Sequence, residues 1–342
     1  RKNMKKTIVI NFVGGPGAGK SYMAMRVASN LKERAVSCEY VPEFAKDLVY
    51  EGRKEELGDQ LYVLAMQNHM LKRVKDKVDV IVTDCPIILS MYYNEANGSA
   101  YKPSIFNELI LDTYKNYDNI VYYVNRNHPY VREGRYQTEE ESIVACNEIK
   151  DRLDKSGIKY EDIVCSGDMA EKITDQICLL LSVRDSSVET KPEYERKFLL
   201  KDDKILKYAY TKVTILQNYF NFGERERRIR CVEGNGYKKY YYAEKHGEGS
   251  TRSEYEIPIT REKYLKLHDT FTYGKDILKD RYFVELDGTK SCEINYFHSP
   301  KNFKLIEVEF ENSKQMEEFS PPKWFGQEVT QDKEYYNSNI AK

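Results

Sequence analysis

Two short stretches of this 342-residue chain hold residues whose types and spacing suit them for chemistry. The first, GGPGAGKS, arranges Gly14, Gly17, Gly19, Lys20 and Ser21 as Gly-x-x-x-x-Gly-Lys-Ser between an apolar run and a helical pattern. Glycines let backbone N–H groups close around phosphate oxygens, the lysine reaches β and γ phosphates, and the serine hydroxyl joins a magnesium shell. The motif in this context predicts ATP binding. The second stretch, KPEYERKFLL at 191–200, puts Glu193, Glu195 and Lys197 on one face if it is a strand. Two like charges and an ammonium in a row are unfavourable unless something is held between them.

Both stretches have company. Downstream of the glycine loop, VIVTDCP places Asp84 at a strand end, where a metal-orienting acid of a phosphate-loop protein belongs. Cys85 follows it, so the second acid used to activate water in motor-type ATPases is missing, which points to phosphoryl transfer to a small acceptor. Glu43 closes a short strand in VPEFAK; it suits either proton acceptance from an acceptor hydroxyl or a favourable start for the next helix. Downstream of residue 191, paired charges recur two apart: Arg228/Arg230, Lys245, Arg252/Glu254/Glu256, Lys279/Arg281, Glu293 beside Asn295, and Glu307/Glu309. A sheet with one wet face shows such alternation, and the opposite face is apolar, as in Ile229/Cys231, Tyr282/Val284 and Val308/Phe310. The signs, however, are segregated along each strand. Carboxylate pairs suit hard divalent cations and Arg/Lys pairs suit phosphate oxygens, so a closed sheet would form a wet, ligand-filled tunnel.

The elements that position these groups fall into two halves. Residues 1–183 alternate strand and helix patterns, with β-branched runs such as VDVIVTD and NIVYYVN expected in strands buried on both faces. This predicts a doubly wound α/β domain with a parallel sheet. Residues 184–191 are polar and aperiodic and read as a linker. Residues 192–342 show short alternating runs broken by turn signals, predicting antiparallel β structure with one helix near 261–272.

GGPGAGKS, VPEFAK, GDQLYVLAMQ, VDVIVTDCP and the arginine-bearing loop VNRNHPYVREGRYQ resemble small P-loop kinases of the nicotinamide-riboside and deoxynucleoside kinase type. That resemblance implies a closing lid in which Arg126, Arg132 and Arg135 stabilise charge on the transferring phosphoryl group. The second half resembles the CYTH superfamily of triphosphate tunnel metalloenzymes through EYERK, the ordered Arg-x-Arg, Lys, Arg-x-Glu-x-Glu, Lys-x-Arg and Glu-x-Glu motifs, and the closing segment WFGQEVTQDKEYYN. It implies an α+β domain with an antiparallel eight-stranded β-barrel tunnel, and hydrolysis of a linear inorganic or nucleoside triphosphate with magnesium or manganese. Glu193, Glu195, Glu307 and Glu309 would hold metal, and Lys197, Arg228, Arg230, Lys245, Arg252, Lys279, Arg281 and the tail Lys333 would grip phosphate. Glu254 and Glu256 would hold metal or orient these bases. Asn295 departs from the family acid at its position. The same scaffold also supports adenylyl cyclase chemistry, and a non-catalytic ATP and triphosphate sensor is the alternative from another class.

Composition excludes several classes of protein. Net charge is −1, so no overall field draws the chain to nucleic acid or membrane. A nucleic-acid 5′ end is a conceivable triphosphate substrate, but no basic stripe interleaved with aromatic residues supports a long track. No apolar run approaches the roughly 20 residues that span a bilayer. The seven cysteines are scattered without a C-x-x-C pair, which argues against disulfides and for a reducing cytoplasm.

Overall fold

The computed structural model describes residues 7–98, 101–131, 138–184, 188, 190–246, 252–286 and 291–342. It divides into two units, Arg1–Ser182 with Phe222–Glu224, and Val183–Asn221 with Arg225–Lys342.

In the first unit, strands β1 (Ile8–Val13), β2 (Cys38–Val41), β3 (Val80–Thr83), β4 (Asp118–Asn125) and β5 (Glu161–Val164) form a wholly parallel sheet in the order β2-β3-β1-β4-β5. Every residue of β1 and β3 is buried, as their unbroken apolar runs require. The β5 sequence EDIV is short, partly polar and at the sheet edge, which is why no strand is expected there from sequence. The helices are α1 (Lys20–Glu33), α2 (Phe44–Tyr50), α3 (Lys54–Gly58), α4 (Gln60–Val74), α5 (Ser90–Ala96), α6 (Pro103–Tyr114), α7 (Glu139–Lys155) and α8 (Gly167–Leu181). Local chemistry sets their starts. Asp59 accepts from the backbone of Leu61 and Tyr62 to open α4, and Thr138 and Glu141 form a reciprocal capping box at α7.

The second unit contains β6 (Lys191–Leu200), β7 (Ala209–Phe220), β8 (Glu226–Gly234), β9 (Tyr237–His246), β10 (Arg252–Ile259), β11 (Thr272–Glu285), β12 (Ser291–Ser299), β13 (Phe303–Phe310) and β14 (Phe325–Glu328). Antiparallel pairing runs β10-β9-β8-β7-β11-β12-β13-β6, and β6 pairs again with β10 through Glu193↔Arg252. The ring is therefore a closed eight-stranded barrel, and β14 is a short addition at the far end of β6. Helices α9 (Arg261–Phe271), α10 (Ser313–Glu318) and α11 (Asn337–Ile340) complete the unit.

Closure inverts the usual distribution of polarity. The apolar face of the strands is the outside, where Phe198, Ile294, Ile306, Val308 and Phe310 pack with Phe319, Trp324 and Phe325. The alternate, inward residues are ionic over the middle of the barrel. Continuing two residues along the same faces, Ile277, Phe297, Leu305 and Tyr219 pack with Val329, Ile340 and Ala341 and fill one end of the interior.

Candidate functional site

The glycine loop sits where β1 passes into α1, at the centre of the parallel sheet. Gly19 caps α1 in the left-handed region (φ 98°), and a Cβ there would collide with the Cys165 sulfur, so the loop conformation requires glycine. Lys20 is buried and donates from Nζ to the Gly15 carbonyl at 3.0 Å. The loop, with Ser21, borders a cavity of about 400 Å³ that is also lined by Glu43, Lys46, Gln60, Cys85, Ser90, Tyr93, Asn97 and His128. Asp84 follows β3 and is 2% exposed; its Oδ1 has no hydrogen-bond partner among the described residues. Glu43 stands at the start of α2 without capping it and lines the same cavity. Arg126 is drawn onto Glu139 at 2.6 Å and stacks on Tyr130, and does not face the glycine loop through any of these contacts. Arg132 and Arg135 lie outside the described residues.

Gln60 is not evident from the sequence. Its Nε2 donates to the Leu57 carbonyl at 2.9 Å, leaving Oε1 buried, unpartnered and on the cavity wall. An unpaired buried acceptor is costly, so this oxygen suits a ligand that brings a donor.

In the barrel, the inward acids and bases supply one another's counter-ions, from the adjacent strand or the next one around the ring. Lys245 binds Glu193 at 2.8 Å, and Arg228 and Arg230 reach Glu254 and Glu256 at 2.5 and 2.6 Å. Lys197 binds Glu195 at 3.2 Å and Glu307 at 3.0 Å. Arg281 reaches Glu293 at 2.5 Å and Glu307 at 2.9 Å. Although burial opposes ionisation, Arg228 and Lys245 hold the Glu254 carboxyl down to about 2. Lys197, Lys279 and Arg281 likewise keep Glu307 well below the usual carboxylate range. Glu254, Glu256 and Glu307 are thus ion-paired with bases, where the family resemblance has Glu307 holding metal and Glu254 and Glu256 either holding metal or orienting bases.

Glu195 and Glu309 behave differently. Their strands place them directly opposite each other, an arrangement that is repulsive for like charges. Desolvation by the barrel wall, then the charges of Glu293 and Glu195, push Glu309 up to about 7; Glu195 is raised by desolvation, with Glu307 and Glu193 adding to it against Lys197 and Lys245. Lys279 is the corresponding oddity among the bases. It is 1% exposed, its Nζ lies 5.0 Å from the Phe297 ring, and burial with nearby Arg281 and Lys197 outweighs Glu307, bringing it down to about 7. Gln217 and Tyr219, also not evident from the sequence, extend the ring. Gln217 accepts from Arg228 at 2.8 Å and donates to the Tyr219 hydroxyl at 2.8 Å. Only their inward register and burial identify them; residue type alone does not.

The side chain of Arg252 is outside the described set, although its backbone pairs with Glu193. Lys333 is exposed on a short 3₁₀ turn, and no described ion pair links it to the barrel interior. Among the described residues no three His, Cys, Asp or Glu side chains gather into a ready-made metal cage, and no helix is long and apolar enough to cross a membrane.

The two units define a class, a P-loop α/β domain followed by a closed antiparallel barrel with an ionic interior. A family described as an AAA domain matches residues 9–172. The chain is 36% identical over 104 residues to the inorganic triphosphatase of Nitrosomonas europaea, spanning 30% of this chain and 68% of that protein. It is 28% identical over 150 residues to the inorganic triphosphatase of Acetivibrio thermocellus, spanning 44% of this chain and 93% of the other. The chain belongs to the inorganic triphosphatase family. Among solved structures, an inorganic triphosphatase aligns at 33% identity and TM-score 0.31, covering 44% of this chain and 97% of that one. A deoxyadenosine kinase from M. mycoides aligns at 18% identity and TM-score 0.33, covering 51% and 98%.

Proposed function

We propose that the barrel is a CYTH-type tunnel that hydrolyses a linear triphosphate with a divalent cation, and that the P-loop unit binds ATP and phosphorylates a small acceptor. The observation that carries the barrel reading is the Glu195/Glu309 pair. Two carboxylates stand directly opposite each other on β6 and β13 with raised proton affinity, and Lys197, the base that Glu195 contacts, is shared with Glu307. Such a pair fits a hard cation, with substrate oxygens and water completing its shell in place of further protein ligands. Magnesium or manganese held there would remove the repulsion and polarise a phosphoryl oxygen. The relatives' activity supports the same reading.

The chain's own residues do the remaining work. Lys197, Arg228, Arg230, Lys245 and Arg281 exchange their carboxylate partners for phosphate oxygens, which fixes a linear triphosphate in extended form. Lys279 Nζ, neutral above about pH 7, accepts a proton from the attacking water; the arriving negative charge favours its protonated form. In the P-loop unit, Lys20 would turn from the Gly15 carbonyl to the phosphates, Ser21 and Asp84 would hold magnesium, and Glu43 would accept the acceptor hydroxyl proton.

The test of the barrel activity is orthophosphate release from tripolyphosphate and from nucleoside triphosphates, with magnesium, manganese or chelator, for the native chain and Glu195→Ala. Metal-dependent release, lowered about 10²-fold or more in the variant, is expected. Release equal in the two would overturn the assignment.

A further inference from the structure

Every inward side chain in the middle of β6, β11, β12 and β13 is ionic except one. Asn295 is 0% exposed on β12, opposite Arg281 on β11 and Leu305 on β13. Its Oδ1 accepts from Arg281 Nε at 2.9 Å, and its Nδ2 donates to Glu307 Oε2 at 2.8 Å. The two ends of the amide therefore meet a cation and an anion respectively, which fixes its orientation. Glu307 Oε2 accepts from Arg281 Nη2 as well, so Asn295, Arg281 and Glu307 close a triangle of hydrogen bonds. Glu293 and Lys197 anchor its outer corners through Arg281 Nη1 and Glu307 Oε1.

We propose that Asn295 is a positioning residue for the phosphate chain, the one neutral wedge that holds Arg281 and Glu307 in a single orientation. This rests on the triphosphate reading of the barrel. A carboxylate of the same shape would still accept from Arg281 but would have no hydrogen for Glu307. Two buried anions would then face each other at hydrogen-bond distance, and Glu307 would leave either Asn295 or Lys197. A further negative charge would also stand where phosphate must approach. Asparagine avoids both: it satisfies Glu307 without a charge and leaves Arg281 with two donors on Glu293 and Glu307, the acids that a phosphate oxygen displaces.

The experiment uses the full chain with two readouts, calorimetric binding of tripolyphosphate in chelator and steady-state hydrolysis with manganese. Asn295→Asp is expected to weaken binding and raise KM about tenfold or more, with a smaller change in kcat, and to lower the thermal midpoint because a second anion is buried beside Glu307. The pair Asn295→Asp/Glu307→Gln restores one donor and one acceptor with the charge moved across the bond. It is expected to recover binding relative to both Asn295→Asp and Glu307→Gln alone. Unchanged binding and KM in Asn295→Asp, or a double variant that binds no better than the singles, would overturn the proposal. If the native chain binds tripolyphosphate without hydrolysing it, the hydrolase reading fails while the positioning role is still decided by the binding arm.

Discussion

The two units meet phosphate in opposite ways. The P-loop site is built from backbone: a glycine-governed turn, one lysine and one buried acid around a preformed cavity of about 400 Å³. The barrel site is built from side chains that neutralise one another until a ligand displaces them. Backbone amides cost little to hold in readiness, because their orientation is fixed by the fold. A ring of ions is tolerable in an interior only when paired, so binding there is an exchange of partners rather than the filling of a gap.

If the two sites are independent in chemistry, crossed variants should separate them with the largest effects available. Lys20→Ala should lower ATP affinity about 10²-fold while leaving tripolyphosphate hydrolysis unchanged, and Glu309→Ala should lower hydrolysis about 10²-fold or more while leaving ATP affinity unchanged. Nucleotide titration and phosphate release on both variants check this. Loss of both activities in either variant would break the contrast.

A pH series sharpens it. Lys279 is lowered to about 7, so it is charged below that pH and a competent proton acceptor above it. At saturating cation, which keeps Glu309 ionised, kcat/KM for tripolyphosphate should rise about tenfold per pH unit below pH 7 and level off above it. Arginine at position 279 stays protonated, so Lys279→Arg should lose the rise. ATP binding by the P-loop unit should not follow this profile.

The same contrast governs what could be read from sequence. The P-loop is local, eight consecutive residues between a strand and a helix, and its lysine and serine stand where the motif puts them. The barrel charges were also legible, because inward residues recur every second position and Glu193, Arg228 and Glu307 share that parity. Their partners were not. Which base meets Glu254 depends on β8, β9 and β10 lying in one register, and that is a property of the closed ring. Gln217 and Tyr219 share the parity but carry ordinary residue types. The raised Glu309 and lowered Lys279 arise from burial and neighbours on three strands, which no single segment contains. β5 was missed for a simpler reason, four residues at a sheet edge of which only Ile163 is buried.

The smallest effect is expected at Gln60, where the backbone-built site uses a side chain for recognition. With Nε2 held by Leu57, its Oε1 can only accept, so under the proposed kinase reading an acceptor that reaches it must carry a donor. Gln60→Leu removes that oxygen at nearly constant volume. In an ATP-dependent assay across nucleosides and nicotinamide riboside, the KM of an acceptor with such a donor should rise about tenfold, with ATP affinity unchanged. The thermal midpoint should hold or increase slightly, since an unpartnered buried oxygen has been removed. An unchanged KM for every acceptor would mean that Oε1 contributes nothing to recognition, and that specificity in this unit, like its phosphate binding, is carried by the backbone and the cavity's shape.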